Sequence, residues 1–177
     1  MITFKQYITE LFDKPYKWKK TYGHKLSRDS LIAPGHQMDK AGRIEWSFTT
    51  DDGREAVIDM NFRGVRGPKG KYIKSVVEFE VGDDMQMTGE GDAPKIMSTV
   101  LDAIKDGIKQ MQPEIITFTA DKTDYFHGKP DTLKTGRAKL YKSMVKRFAK
   151  KLGYHEEDSD MGDSIEFTLI SKEFRKK

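Results

Sequence analysis

The chain has 177 residues and a mass of 20.4 kDa, enough for one domain with its own core and too few for two. It is 36% hydrophobic and 34% charged, and no apolar run approaches the roughly 20 residues that span a bilayer, so the chain reads as soluble. It has no cysteine, which excludes disulfides, thiolate metal ligands and cysteine nucleophiles.

The net charge of +4 is modest but unevenly spread. Seven Lys/Arg face three Asp between Leu11 and Gly42, and four bases face Glu173 between Lys172 and Lys177. The body from Arg43 to Ser171 then carries −3, so the positive field is expected at the two ends of an acidic body. In chain order, Thr3 to Phe12 has Phe4, Tyr7, Ile8, Leu11 and Phe12 at helical spacing, with Thr3 and Gln6 as a capping box. Polar residues Thr3, Lys5, Gln6, Thr9 and Glu10 interrupt it too often for a secretory signal. Asp13 to Gly42 holds Pro15, Gly23, Pro34 and Gly35 without a sustained period and reads as an extended arm or long loop, pinned in part by Tyr16, Trp18 and Tyr22.

From Arg43 the pattern turns to strands. Arg43 to Thr50 and Arg54 to Arg63 flank Asp51-Asp52-Gly53, a hairpin signal, and Tyr72 to Val81 makes a third strand. Pro94 to Met111 is an amphipathic helix with Ile96, Met97, Val100, Leu101, Ile104, Ile108 and Met111 on one face, opened by Pro94 and stopped before Pro113. Ile115 to Ala120 is short and β-branched, as a buried strand requires. A polar loop, Asp121 to Gly136, precedes a basic helix, Arg137 to Leu152, with Leu140, Tyr141, Met144, Val145, Phe148 and Leu152 inward and Gly153 as its cap. Ser164 to Ser171 is the last strand. The expected fold is α+β: an N-terminal helix and arm, then a mixed sheet in the order β-β-β-α-β-α-β, covered by two helices on one or both faces.

Little in the chain spells out chemistry. His24, His36, His127 and His155 lack metal-ligand spacing, so no metal site is expected. Asp83-Asp84 and Glu156-Glu157-Asp158 read as solvated turns, because nothing nearby in sequence supplies the apolar surroundings that raise one carboxyl pKa. Lys14, Lys17, Lys19 and Lys20, interleaved with Tyr16 and Trp18, form a candidate nucleic-acid contact in which lysines meet phosphates and aromatics stack. The competing reading has Trp18 plugging the domain above solvated lysines.

Gln86-Met87-Thr88-Gly89-Glu90-Gly91, between a strand and a helix, resembles the pyrophosphate-binding turn of the GCN5-related N-acetyltransferases, and the later β, α, β order resembles the rest of that fold. The resemblance implies an acetyl-CoA site at Gln86, Gly89 and Gly91, with Tyr141 near the family's general acid. Glu90 and Asp92 oppose a bound pyrophosphate, Pro94 removes a donor, and the family's upstream asparagine is absent. A plain glycine turn is the competing reading.

The opening "MITFKQYITE" resembles the capsid-targeting leader of internal head proteins of large contractile-tailed bacteriophages, amphipathic segments that end in a Leu/Ile-x-Glu tripeptide cut by the prohead protease. Ile8-Thr9-Glu10 is the only such tripeptide in the chain, and cleavage after it would make Leu11 the new N-terminus. "ITELFD" and the succession of later elements are also similar to the N-terminal domain of the packaged phage ADP-ribosyltransferase, in which the transferase domain lies further C-terminal. This implies a packaging domain. Phe4, Tyr7, Ile8 and Leu11 would dock on the prohead scaffold or shell. The implied organisation is a leader over 1–10, a basic aromatic arm over 11–42 and a single domain over 43–177.

The expectation is a virion protein inside the phage head, without enzymatic activity, cofactor or membrane contact, meeting DNA non-specifically and entering the host with it. The alternatives are an acetyl-CoA-dependent acyltransferase, a permanent structural subunit of the particle, and a plain domain in which residues 1–12 are a core helix.

Overall fold

The computed structural model describes residues 14–23, 27–32, 41–82, 93–121, 125–126, 129–130, 134–162 and 164–176. The expected helix over residues 3–12, with the leader residues Phe4, Tyr7, Ile8, Thr9, Glu10 and Leu11, lies outside them. Four strands come first, β1 (Trp18–Gly23), β2 (Ala41–Thr49), β3 (Glu55–Gly67) and β4 (Gly70–Val81), with a short helix α1 (Arg28–Ile32) between β1 and β2. Helix α2 (Ala93–Met111) leads to β5 (Ile115–Asp121) and the two-residue strands β6 (Tyr125–Phe126) and β7 (Lys129–Pro130). Helix α3 (Lys134–Leu152), β8 (Tyr154–Asp160), β9 (Ser164–Ser171) and a short α4 (Lys172–Lys176) complete the chain.

The class is α+β. A seven-stranded, mostly antiparallel sheet has the order β1-β2-β3-β4-β5-β9-β8, with β4 and β5 as its parallel pair. The expected hairpin closes where Gly53 N donates to Thr50 O at 3.0 Å, and Gly53 takes a φ of +85°, which glycine reaches without a Cβ clash. The second hairpin turns on Pro68 and Lys69, where Gly67 pairs with Gly70.

One row of residues shows how the layers sit. Ile44, Met60, Val77, Phe118, Phe167 and Asp158 are successive cross-strand partners from β2 to β8, so they share a face. All but Asp158 are buried. Helix α2 covers this face at Met60 and Trp46, approaching so closely that a Cβ on Gly107 would lie 2.5 Å from Met60 Sδ. Helix α3 covers it at the other end, where Lys142 meets Asp158 at 2.6 Å. Both long helices therefore lie on one face, and the core is the layer between them and the sheet. The helical spacing places Ile96, Met97, Val100, Leu101, Ile104 and Met111 of α2 in that layer, with Met144, Val145 and Ala149 of α3. The opposite face carries Arg43, Asn61, Val76, Thr117, Thr168 and Glu157, a mostly polar row.

Two expectations need correction. The arm reading of Asp13 to Gly42 gives way to strand β1 and helix α1 at its described residues. Strand β1 showed no alternation because five of its six residues are exposed, and backbone pairing to β2 holds it. Glu156-Glu157-Asp158 is no turn but the middle of strand β8, paired throughout with β9. Its acids suit an edge strand, where charge discourages pairing with another chain, and Lys142 neutralises Asp158. At the C-terminus α4 follows β9 directly, and Lys172 N donates to Gly153 O at 3.0 Å.

Around the end of α2 the contacts form a clamp. The Arg28 guanidinium on α1 donates to the carbonyls of Met111 and Gln112 and pairs with Glu114. A cation at a helix C-terminus meets the negative end of the dipole as well as unpaired carbonyls. Glu114 Oε2 in turn accepts from Ile73 N at 2.7 Å, and Tyr154 donates its hydroxyl to Pro113 O at 2.6 Å.

Candidate functional site

The sheet opens between β4 and β5. The two strands pair over four positions only, from Lys74 with Ile115 to Val77 with Phe118. Beyond these, Glu78–Val81 stays paired with β3 and Thr119–Asp121 with β9, but the two segments are not paired with each other. Parallel strands that part in this way leave a fork, and α2 begins a short distance along the chain from the end of β4. Where the β4–β5 pairing stops, main-chain donors and acceptors that face the gap are not paired across it, and an extended ligand would have to meet these groups.

Gln86, Gly89 and Gly91 fall in the link between β4 and α2, outside the described residues. Tyr141 lies on α3, with its side chain outside the described set as well. The fold thus brings the end of β4, the end of β5 and the start of α2 to one end of the sheet.

That end is acidic. The β2–β3 turn contributes Asp51, Asp52 and Glu55 against Arg54, β4 ends with Glu78 and Glu80, and β8 adds Asp158 and Asp160 at its far end. Arg54, Lys95 and Lys142 pair with Asp52, Asp51 and Asp158 at 2.6 to 2.7 Å, leaving an acidic excess. The Thr50 hydroxyl and the Arg54 guanidinium hold the Asp52 carboxyl below its ordinary value, and the Asp158 carboxylate raises the Lys142 ammonium above its own. The sequence between Gly82 and Ala93 adds Asp83, Asp84, Glu90 and Asp92 and no base. A pyrophosphate entering the fork would approach like charge, which several ångströms of separation in water reduce but do not reverse.

The second candidate site, the basic aromatic stretch, is mostly engaged in the fold. Tyr16 is buried, donates its backbone N to Thr99 Oγ1 at 2.9 Å, and stacks on Phe48 with ring centroids 5.4 Å apart. Trp18 Nε1 donates to Asp102 at 3.0 Å and its ring meets Trp46 edge-on. Lys20 pairs with Asp106 at 3.0 Å. Lys14, Lys17 and Lys19 are exposed. The aromatics are therefore committed to the protein, and lysines alone face outward from this stretch. Of the two readings of Trp18, stacking platform and plug, the geometry agrees with the second, since its ring packs on the core.

His155 lies on β8, 3.7 Å from Glu157, and among the described residues no cluster of His, Asp and Glu is arranged to hold a metal. No helix among them is long and apolar enough to cross a membrane. The exposed bases of α3 are not among the candidate residues that the sequence singles out. The signal was present, since Lys134 to Leu152 contains eight Lys/Arg and no Asp or Glu. Comparison with family models, curated proteins and solved structures finds no match to this chain.

Proposed function

We propose that the chain is a non-enzymatic internal head protein of a contractile-tailed bacteriophage, packaged through residues 1–10 and delivered with the DNA as a folded cargo. The observation that carries this reading is the position of Ile8-Thr9-Glu10 relative to Tyr16, the first buried residue among those described. From Tyr16 onward the chain is tied to β2 and α2 by stacking, by Thr99 and by Trp18, so a cut after Glu10 falls five residues ahead of the first anchor of the sheet. A cut so placed falls ahead of every contact made by the described residues, and loss of the leader would take Phe4, Tyr7 and Ile8 off the docking face. The prohead scaffold or shell and the prohead protease are the partners this implies.

Intact-mass measurement of the protein from purified particles tests the proposal. A mass corresponding to residues 11–177 is expected; a full-length mass at fixed stoichiometry would favour a permanent structural subunit instead.

The fork between β4 and β5 favours a second reading, an acetyltransferase-like fold with a working acetyl-CoA site. The acidic surroundings of the fork weigh against it. Acetyl-CoA at about 100-fold its dissociation constant stabilises a binding protein by roughly 2.7 kcal/mol, a readily seen thermal shift. No shift is expected here, and a clear one would replace the first reading with the second.

A further inference from the structure

The end of the sheet opposite the fork has the opposite charge. Three segments distant in sequence meet there. The tip of the β3–β4 hairpin reaches α4, where Lys69 donates to the carbonyls of Phe174 and Arg175 at 3.3 Å and Tyr72 packs against Phe174 with ring centroids 4.8 Å apart. Helix α4 in turn starts beside the end of α3, through Lys172 N donating to Gly153 O and the pairing of Ser171 with Tyr154.

The hairpin tip carries Arg66, Lys69 and Lys71, and α4 carries Lys172, Arg175 and Lys176. The last two turns of α3 add Lys146, Arg147, Lys150 and Lys151. All ten are exposed, and Glu173 is the one acid in the three segments. Strand β8 does not neutralise the end of α3. Its helix-facing acids Asp158 and Asp160 lie along earlier turns, where Asp158 binds Lys142, while Glu156, between Tyr154 and Asp158 on the strand, runs beside the last two turns without pairing to any of their four bases among the described residues. None of the four α3 bases, nor Lys172, Arg175 or Lys176, has an acidic partner among the described residues.

We propose that this basic end is a binding surface for the phosphate backbone of duplex DNA. Phosphates of a duplex follow one another at about 1.7 Å along the axis, a line of charge that a broad array of separate ammonium and guanidinium groups can match. Single-stranded nucleic acid asks for exposed aromatics to stack on, whereas Tyr72 and Phe174 are half-buried against each other. An anionic membrane surface asks for apolar side chains to insert. The large exposed hydrophobics among the described residues are Tyr22, Val57 and Met161, and none belongs to the three segments. The acidic fork at the far end gives the molecule a dipole that orients this surface toward a polyanion on approach. The surface rests on the charge layout alone, and stands or falls separately from packaging through the leader.

Fluorescence anisotropy with a labelled random-sequence duplex of about 20 base pairs, at about 50 to 200 mM salt, tests it through the slope of log K against log salt. The pairs Lys150→Glu with Lys151→Glu, and Lys172→Glu with Arg175→Glu, are each expected to weaken binding at least about tenfold and to flatten the slope by about 0.9 per lost phosphate contact. Reversing Lys14, Lys17 and Lys19 is expected to change little. Unfolding midpoints of the variants check the fold, and the same positions changed to Gln give the slope should a reversal unfold the chain. Absence of binding by the unaltered protein, basic-end variants that bind like it, or binding abolished by the Lys14, Lys17 and Lys19 reversal would overturn the proposal. Tighter binding to phosphatidylserine vesicles than to the duplex would overturn it in favour of a membrane.

Discussion

Asp106 is a shared acceptor: Trp46 Nε1 donates to it at 3.1 Å, Gln110 at 2.7 Å and the Lys20 ammonium at 3.0 Å. Trp46 is fully buried, so removing its acceptor leaves a desolvated indole N–H without its partner. Asp106→Ala is expected to cost about 1–3 kcal/mol in urea unfolding. Asp102→Ala, whose partner Trp18 is only half-buried, is expected to cost less. Ser75 presents the reverse case, with a fully buried hydroxyl that has no hydrogen-bond partner among the described residues. Ser75→Ala removes a desolvated polar atom and very little volume, so stability is expected to hold or to rise by up to about 1 kcal/mol.

Tyr154 adds a dependence on pH. Burial first, then the Glu114 carboxylate, push its phenol above the ordinary 10.0, with Arg28 opposing. A group whose folded value is raised gives its full contribution below the unfolded value and loses it as pH rises toward the folded one. The advantage of the unaltered protein over Tyr154→Phe is therefore expected to shrink above about pH 10 in unfolding curves taken across pH. An advantage that grows there would contradict the burial of the phenol.

Among the elements, α1 shows how little sequence signal a functional joint needs. It has five residues and one buried side chain, Leu31, yet it rests directly on β3, since a Cβ on Gly64 would lie 2.2 Å from Leu31 O. A backbone oxygen cannot move aside as the end of a side chain can. Gly64→Ala is expected to displace α1, weaken the Arg28 clamp on the end of α2 and cost about 1–3 kcal/mol, measured as a lower denaturant midpoint. An unchanged midpoint would mean that α1 is not held against the sheet. The long elements were legible because each repeats its period several times. Helix α2 shows its apolar face through Met97, Val100, Leu101 and Ile104, and β2 alternates through Ile44, Trp46 and Phe48. Strand β1 and strand β8 were not, because an edge strand is specified by backbone pairing to its one neighbour and its outward residues are free to be charged.

For the whole molecule, the arrangement of charge matters more than its sum. A net charge of +4 conceals an acidic end at the fork and a basic end at the β3–β4 hairpin, α4 and the end of α3. The sequence count located positive charge at the two termini, but in β1 Lys20 is paired with Asp106, while at the other end α4 gathers bases from the hairpin and α3. The leader proposal also has a consequence at this scale. A chain starting at Leu11 is expected to unfold at the same denaturant midpoint as the full-length chain, whereas a core helix over residues 1–12 would make the shortened chain markedly less stable.

By itself the sequence determined the α+β class, both long helices, the first hairpin and the buried strand β5, because periodicity, turn residues and helix stops act over a few neighbouring positions. It also determined the lone Ile8-Thr9-Glu10 tripeptide and the acidic character of the link after β4. Only the tertiary structure decided that both long helices lie on one face, that β4 and β5 part after Val77 and Phe118, and that Trp18 serves the core. It alone decided that the bases of three distant segments form one surface. These outcomes depend on pairing register and on contacts between residues far apart in the chain, and no local period encodes which distant side chains become neighbours.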